Sequence, residues 1–513
     1  MTNTQKDPLF VLIKSLTKSE KRQFKLYVGR LDVNVDSKFI LLFHLMEKSK
    51  TYNEEEIIKS GIVAKTQISN LKAHLYKQIL ISLRLNPAHH NIRIQLREQL
   101  DFATILYHKG LYRQSLKILE KAKNTAIAHQ EKSIAHEIVE LEKVIETQYF
   151  AKSTSDRVLS LVKQTQELVS QNTVASQWSN LSLQLYAMML QFGYARTAQE
   201  QEKVRVFFEK HAPEEHMEEW GIREKLWYYK AHLWYHFLLQ DFLTCYKYAH
   251  KWVQLFDEHP EMIQFHPVFY LKGNNYLMES LFYLRYRSLY ERTLEQLEFK
   301  TKLAEFPHNE NISSLTFLYL ASHRMNLHFM KGSFNQGLDR IPQIEAGILL
   351  HKDRLDKHHV MVLYYKIACM YFGSGDYKKS IEYLKKIIAN KDLYMREDLM
   401  CFSRLLSLIA HYEAGMDYHL EIQLKATYKF LLRMNDLQQV QKEMMRFMKR
   451  LGSIFPQDLP QAFQELYDRL SVLENHPIEK RAFLYLDVLS WLESHLQKRP
   501  FAELIIEKAK KDR

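Results

Sequence analysis

The apolar and polar positions of the chain repeat one helix–turn–helix phrase several times. Residues 107–122 read YHKGLYRQSLKILEKA, and residues 371–388 read YFGSGDYKKSIEYLKKII. Two further copies read FMKGSFNQGLDRIPQI at 329–344 and, more weakly, FLLQDFLTCYKYAHKW at 237–252. Each copy joins an apolar helix end to a small or polar turn residue, then an aromatic residue two positions later and a small residue three positions beyond. The phrase predicts pairs of antiparallel helices.

Each position of the phrase has a structural role. The turn residue is expected to end the first helix in the left-handed backbone conformation, which glycine adopts without strain. The aromatic residue is expected to fill the angle between the two helices, and the small residue to let the helices approach closely. The four copies place these roles on the turn residues Gly110, Gln240, Gly332 and Gly375, the aromatic residues Tyr112, Phe242, Phe334 and Tyr377, and the small residues Ser115, Cys245, Gly337 and Ser380.

The turn residues are regularly spaced once four fainter candidates are added, at Ser153, Arg196, Ser288 and Gly415. Ser153 and Arg196 are placed partly by interpolation between the stronger copies. Successive turn residues are then about 43 residues apart, which is typical of helix pairs stacked into a solenoid. The sequence therefore predicts an all-α chain: a right-handed α-solenoid of about eight antiparallel helix pairs, with a helical N-terminal module and C-terminal capping helices.

The strong copies resemble the tetratricopeptide repeat, in which a small residue of the first helix precedes Gly-x-Tyr/Phe and then a small and an apolar residue of the second helix. The spacing here exceeds that family's repeat of about 34 residues, so the resemblance is to the broader tetratricopeptide-like superfamily, with helices about one turn longer. The matching positions are Ala368, Gly375, Tyr377, Ser380, Leu384 and Ile387 in one copy, and Gly110, Tyr112, Ser115, Leu119 and Ala122 in another.

The repeat array is expected to span residues 91–451, with a different segment on each side. Residues 1–90 hold 15 Lys and Arg against 8 Asp and Glu, and are predicted to form a basic helical module. Residues 452–513 contain three more amphipathic stretches, predicted to be capping helices, because the end of a solenoid needs a helix with one polar face.

The basic module supports a second functional hypothesis, a regulator that binds nucleic acid through residues 1–90 and uses the solenoid as a sensor or dimerisation arm. Excess positive charge attracts phosphate, and the helix pair at 52–85 could form a DNA-reading helix-turn-helix. The apolar stripe on its second helix favours an ordinary packed hairpin instead. The candidate anion contacts are Lys18, Lys21, Arg22, Lys25, Lys65, Lys72, Lys77 and Arg84.

Motifs that would indicate an enzyme are missing. The sequence has no phosphate-binding loop, dinucleotide fingerprint, nucleophile elbow or HExxH motif. His232 and His236 stand four residues apart on one helix, a spacing that could chelate a metal for hydrolysis. Their aromatic neighbours favour a packing role instead. We therefore expect no catalytic residues, no metal and no cofactor.

Aromatic residues make up 12% of the chain, and some of them are expected to line a concave surface. In tetratricopeptide-like folds, certain positions of the first helix of each pair face a groove that holds a peptide. The resemblance implies an aromatic and basic groove for a segment that carries acidic and apolar residues. The positions that match this register are Tyr107, Trp227, Lys230, Trp234, Arg285, Asn326, Tyr365 and Lys366.

The first functional hypothesis is therefore a protein-interaction scaffold or adaptor that binds a peptide or helix of a partner protein. We expect it in the cytoplasm and not in a membrane. The N-terminal sequence lacks the pattern of a signal peptide, and no stretch is apolar enough for a membrane span. The three cysteines are too few and too far apart for a disulfide framework.

Overall fold

A computed structural model describes residues 7–30, 38–86, 91–148, 155–195, 197–215, 217–390, 397–431, 439–451, 454–474, 476, 479, 482–485 and 487–511. Every regular element within these residues is a helix, and no strand occurs among them, so the predicted all-α class is confirmed. The chain divides into two compact units, residues 1–168 and 169–513. The predicted segment boundaries after residues 90 and 451 stay predictions.

The first unit begins with five helices, in which α5 packs against α1, α2 and α3. Asp7 caps α1 by accepting the amide of Phe10 at 3.0 Å, and proline follows at the first helical position. Thr17 caps α2 through a capping box with Glu20. The bounds are α1 (Pro8–Ser15), α2 (Lys18–Gly29), α3 (Lys38–Lys48), α4 (Glu54–Lys59) and α5 (Ile68–Arg84).

Three longer helices follow, and each contacts both of the others: α6 (Ile92–His108), α7 (Tyr112–Ala128) and α8 (Lys132–Gln148). An ion pair is buried between the last two, with Lys123 Nζ 2.7 Å from Glu142 Oε2. Each charge compensates the other, so neither is left unpaired away from water. The unit ends within α9 (Ser155–Phe192).

The second unit continues with helices that mostly contact their neighbours in sequence: α11 packs on α12, α12 on α14, α14 on α15 and α16, α16 on α19, and α19 on α20 and α21. The bounds are α10 (Ala198–His211), α11 (Ile222–Leu238), α12 (Phe242–Glu258), α13 (Met262–Phe265), α14 (Pro267–Tyr283), α15 (Arg287–Lys302), α16 (Glu310–Lys331), α17 (Phe334–Leu338), α18 (Ile341–Leu350), α19 (Lys357–Gly373), α20 (Tyr377–Ile388), α21 (Glu397–Glu413), α22 (Asp417–Leu431), α23 (Gln439–Leu451), α24 (Leu459–Glu474), α25 (Ala482–Tyr485), α26 (Val488–Gln497) and α27 (Phe501–Lys511).

One turn geometry recurs between the helices of a pair. The turn residue is left-handed, and the amide of the next residue donates to the carbonyl five residues before it, as from Asp241 to His236 and from Asp376 to Tyr371, both at 3.0 Å. This is the Schellman pattern, which satisfies carbonyl groups at the helix end. The second helix starts two residues after the turn residue. Among the described residues, the left-handed turn residues of this kind are Gly110, Gln130, Gln240, Arg285, Gly332, Gly375 and Gly415.

The turn predictions are thus confirmed at Gly110, Gln240, Gly332, Gly375 and Gly415. The prediction of Ser288 is wrong, because Ser288 lies inside α15 and the residue with positive φ is Arg285. The sequence signal was weak there because arginine, unlike glycine, gives no hint of a left-handed conformation. The candidates Ser153 and Arg196 lie outside the described residues.

The small residues of the phrase lie where helices approach closely, as predicted. Ser115 is buried and its hydroxyl donates to the carbonyl of Ala103 on the preceding helix at 2.8 Å. Cys245 is buried in the equivalent place, 3.7 Å from the carbonyl of Leu233. A Cβ atom on Gly337 would lie 2.4 Å from Met370 Sδ. Larger side chains would push the helices apart.

The C-terminal helix α27 contacts α26 and also returns to α16, in the middle of the second unit. The ring of Phe501 lies 5.8 Å from that of Phe334 and 5.8 Å from that of Phe372. The guanidinium of Arg287 donates to the backbone carbonyl of Ala509. The last helix is therefore fastened beside α16 and does not contact only the helices that precede it in sequence.

We predict that Gly375→Val lowers the free energy of unfolding by about 1–3 kcal/mol, whereas Gly375→Asn lowers it less. Gly375 has a φ of +86°, and nothing lies within 4 Å of a Cβ atom added there, so the cost comes from backbone strain alone. Denaturant unfolding followed by circular dichroism measures both variants. Equal losses would contradict a left-handed requirement at this turn.

Candidate functional site

The second unit contains a cavity of about 480 Å³. The first helices of successive pairs supply most of its wall: α11, α14, α16, α19 and α21. The end of α9 and residues of the C-terminal segment, including α27, complete it. Among the described lining residues, the second helices supply their first residues, Arg287 of α15 and Phe334 of α17. The cavity thus lies on one side of the helix pairs.

Five of the eight predicted groove residues line this cavity: Trp234, Arg285, Asn326, Tyr365 and Lys366. The structure brings them together from three helices and one interhelical turn. Sequence position alone could not show that they face one common space.

The other three predicted groove residues lie elsewhere. Trp227 and Lys230 are on α11 but do not line the cavity, and Lys230 Nζ lies 4.6 Å from the centre of the Trp227 ring. Tyr107 belongs to the first unit, where its hydroxyl donates to Gln148 Oε1 at 3.1 Å.

The aromatic part of the wall centres on Trp234, which is only 8% exposed. Its ring centroid lies 5.0 Å from that of Tyr186 and 5.5 Å from that of Tyr276. The indole N–H of Trp234 has no hydrogen-bond partner among the described residues. A buried donor without an acceptor costs free energy, and the indole nitrogens of Trp178 and Trp252 are in the same situation away from the cavity.

The cationic part of the wall centres on Lys366, which is partly buried on α19. Its ammonium group donates to Asn326 Oδ1 on α16 and lies 6.0 Å from the centre of the Phe282 ring. Burial lowers the pKa of Lys366 to about 8, although the negative charge of Glu279 acts in the opposite direction. Lys366 is therefore charged at neutral pH but incompletely compensated by the protein.

A buried chain of hydrogen-bonded polar side chains forms part of this wall. Nε2 of His323 lies 2.9 Å from Asn275 Oδ1, and Nδ1 lies 2.7 Å from the hydroxyl of Tyr290. Burial lowers the pKa of His323 to about 3, so the ring is neutral. Because Asn275 Oδ1 only accepts, the ring donates from Nε2. Asn275 in turn donates to Glu279 at 3.3 Å and so orients that carboxylate.

The candidate anion contacts of residues 1–90 divide into ion-paired and exposed side chains. Four of the eight are ion-paired within the first unit: Lys21 and Lys25 with Glu47 at 3.8 and 3.2 Å, Lys72 with Asp7 at 2.6 Å, and Arg84 with Asp101 at 3.1 Å. The remaining four are exposed: Lys18, Arg22, Lys65 and Lys77.

The histidine pair on α11 is packed among aromatic rings. The ring of His232 lies 4.5 Å from that of Tyr248 and 5.6 Å from that of Trp178, and burial lowers the pKa of His232 to about 3. Within the described part of the chain, no group of three or more His, Cys, Asp or Glu is arranged to hold a metal ion. His89, His90 and His216 lie outside the described residues.

Sequence reasoning missed several cavity residues, notably Tyr186, Tyr276, Glu279 and His323. The sequence does contain a pattern that indicates some of these residues. Tyr276 and Glu279 are three residues apart on α14, and His323 precedes Asn326 by three on α16, so each pair shares a helix face. Extending the groove register over every turn of the first helices would have included them.

No protein-family model matches the chain, and no curated protein matches it significantly. A helix long and apolar enough to cross a membrane is not found among the described residues either. Information about function therefore comes from the residues that line the cavity.

We predict that wild-type protein gains stability relative to Lys366→Met between about pH 8 and pH 10. Folded Lys366 loses its proton near pH 8, whereas an unfolded lysine keeps it to about pH 10. The unfolded chain then binds more protons, so the free energy of unfolding rises with pH by up to about 1.4 kcal/mol per unit. Urea unfolding of both proteins measures the difference, and a difference independent of pH would contradict the burial of charged Lys366.

Proposed function

We propose that the chain is a protein-interaction scaffold or adaptor, whose second unit binds a peptide or helix of a partner protein in the cavity. The observation that carries this proposal is that the cavity is lined by the first helices of successive pairs, α11, α14, α16, α19 and α21. These are the helices that face the peptide groove in tetratricopeptide-like proteins, which the repeated phrase resembles.

The proposal includes the finer architecture expected from the sequence. We take the helix pairs of the second unit to stack as a right-handed α-solenoid of the tetratricopeptide-like class. The recurring left-handed turn and the contacts between successive helices support this arrangement. A stack of this kind presents the same face of every first helix to one side, which suits an extended ligand.

The size and lining of the cavity suit the anchoring side chains of a peptide. A volume of about 480 Å³ lies in the range of ligand pockets. An exposed apolar stripe on α9 continues from it, with Leu183 66% exposed and Leu190 58% exposed. Leu190 also lines the cavity. A bound segment could therefore insert one side chain and lay further apolar residues along α9.

The nucleic-acid alternative is less well supported. Ion pairs with Glu47, Asp7 and Asp101 already occupy half of its candidate cations, and breaking them would offset part of the gain from phosphate contacts. We also propose a cytoplasmic location, where free thiols such as those of Cys245 and Cys369 persist.

Panning a phage library of random dodecapeptides on the full chain tests the proposal. We expect enriched peptides that bind wild-type protein but not Ser322→Trp, because Ser322 lines the cavity and an indole there would obstruct it. Ser176→Trp is the matched control, since Ser176 is exposed on α9 and does not line the cavity.

Circular dichroism should show both variants to be as helical as wild type. Peptides that bind all three proteins equally, or a selection that enriches none, would overturn binding in the cavity.

A further inference from the structure

We propose that Lys230 of α11 and Lys272 of α14 together bind a phosphate monoester. Neither residue lines the cavity, and the site does not depend on the proposed binding of a peptide there. The ester is either a small phosphorylated compound or a phosphorylated side chain of a bound partner, and both sources present the same dianionic group.

The two lysines hold equivalent positions on neighbouring helices. Each lies between two aromatic residues, one turn before it and one turn after it: Trp227 and Trp234 on α11, and Phe269 and Tyr276 on α14. The two rings one turn before the lysines have centroids 5.4 Å apart, and the two rings one turn after them have centroids 5.5 Å apart. Because the helices are in contact on both sides of the pair, Lys230 and Lys272 lie opposite each other.

The charges of the two lysines repel each other and are not neutralised by an acidic residue. Burial and the charge of Lys272 lower the pKa of Lys230 to about 8, and burial lowers the pKa of Lys272. Within the described part of the chain, neither ammonium group forms an ion pair or donates a hydrogen bond. Holding two such cations together costs free energy, and an anion bound between them would remove that cost.

The protein offsets only one of the two charges. Lys230 Nζ lies 4.6 Å from the centre of the Trp227 ring, whose electrons attract the ammonium group. Lys272 has no ring contact of this kind among the described residues. Both side chains are only partly buried, so a ligand can reach them from solvent. A bound anion would therefore supply compensation that the folded chain lacks.

The amount of charge favours a phosphate monoester over a carboxylate. A carboxylate carries a single negative charge, whereas a phosphate monoester carries about 1.5 to 2 at neutral pH and offers three acceptor oxygens. Two ammonium groups supply a matching positive charge and several N–H donors. Lysine is also a common ligand of phosphate in proteins, where it acts as a compact point charge.

A purely structural role explains the pair less well. A lysine can pack its stem on an apolar surface and keep its ammonium group in water, but such packing does not require two lysines to face each other. Methionine would fill the same space without repulsion. We therefore expect the double variant Lys230→Met/Lys272→Met to be at least as stable as wild type in urea unfolding. A clear loss of stability would contradict the repulsion on which the site is inferred.

Isothermal titration calorimetry of the full chain with phenyl phosphate, and in parallel with benzoate, tests the site directly. Both ligands carry one ring and differ in the anionic group. We expect wild type to bind phenyl phosphate at least about tenfold more tightly than benzoate, because charge-assisted hydrogen bonds to a second cation add affinity. Lys230→Met and Lys272→Met should each weaken phenyl phosphate binding by about tenfold.

The double variant Lys225→Met/Lys247→Met is the matched control, because it removes the same charge from α11 and α12 outside the pair. It should bind phenyl phosphate like wild type, whereas Lys230→Met/Lys272→Met should no longer distinguish the two ligands. Equal binding of both ligands to wild type would overturn the site. So would phenyl phosphate binding that survives in Lys230→Met/Lys272→Met or is lost in the control.

Immobilised dodecapeptides with a central phosphoserine distinguish the two sources of the ester. Retention of wild type by these peptides, but not by versions with serine or glutamate, assigns the site to a phosphorylated side chain. Binding of phenyl phosphate without such retention assigns it to a small phosphorylated compound and still supports the site. If neither probe binds, the site is overturned. Failure of the phage selection on the cavity would instead overturn the proposed function and leave this site intact.

Discussion

The hydrogen bond that closes each left-handed turn is the interaction on which the rest of the second unit depends. It ends a first helix at Gln240, Arg285, Gly332, Gly375 or Gly415 and starts the second helix two residues later. Because the turn is nearly the same each time, the first helices repeat one orientation relative to their partners. A common face of α11, α14, α16 and α19 can therefore form a single cavity. The buried small residues then set how closely each pair packs.

The cavity combines groups whose individual environments are unfavourable. Lys366 is charged at neutral pH although burial lowers its pKa to about 8, and Trp234 keeps a buried N–H without a partner. A chain selected for stability alone would replace such groups by apolar ones, because burying charge and unpaired donors costs free energy. Lys366 also lines the cavity, and an ionisable residue with a strongly shifted pKa in a cleft is a candidate functional residue.

The C-terminal helix α27 gives the cavity a wall that a simple stack of helix pairs would lack. It is fastened to α17 and α19 by aromatic contacts of Phe501, and to Arg287 through the carbonyl of Ala509. Arg287 begins the helix that follows one of the repeated turns. The turn geometry and the closure of the cavity are therefore coupled through this residue.

The sequence by itself determined the all-α class, the left-handed turns at Gly110, Gln240, Gly332, Gly375 and Gly415, and the close packing at Ser115, Cys245 and Gly337. These features depend on a few adjacent residues, so a local pattern encodes them. The tertiary structure alone decided which groove candidates share a cavity, that half of the basic candidates are ion-paired, and that α27 returns to α16. Those outcomes depend on distant residues: Lys366 and Asn326 are 40 positions apart, and Arg287 and Ala509 are 222 apart. Only folding brings such residues together, because no short stretch of sequence contains both partners.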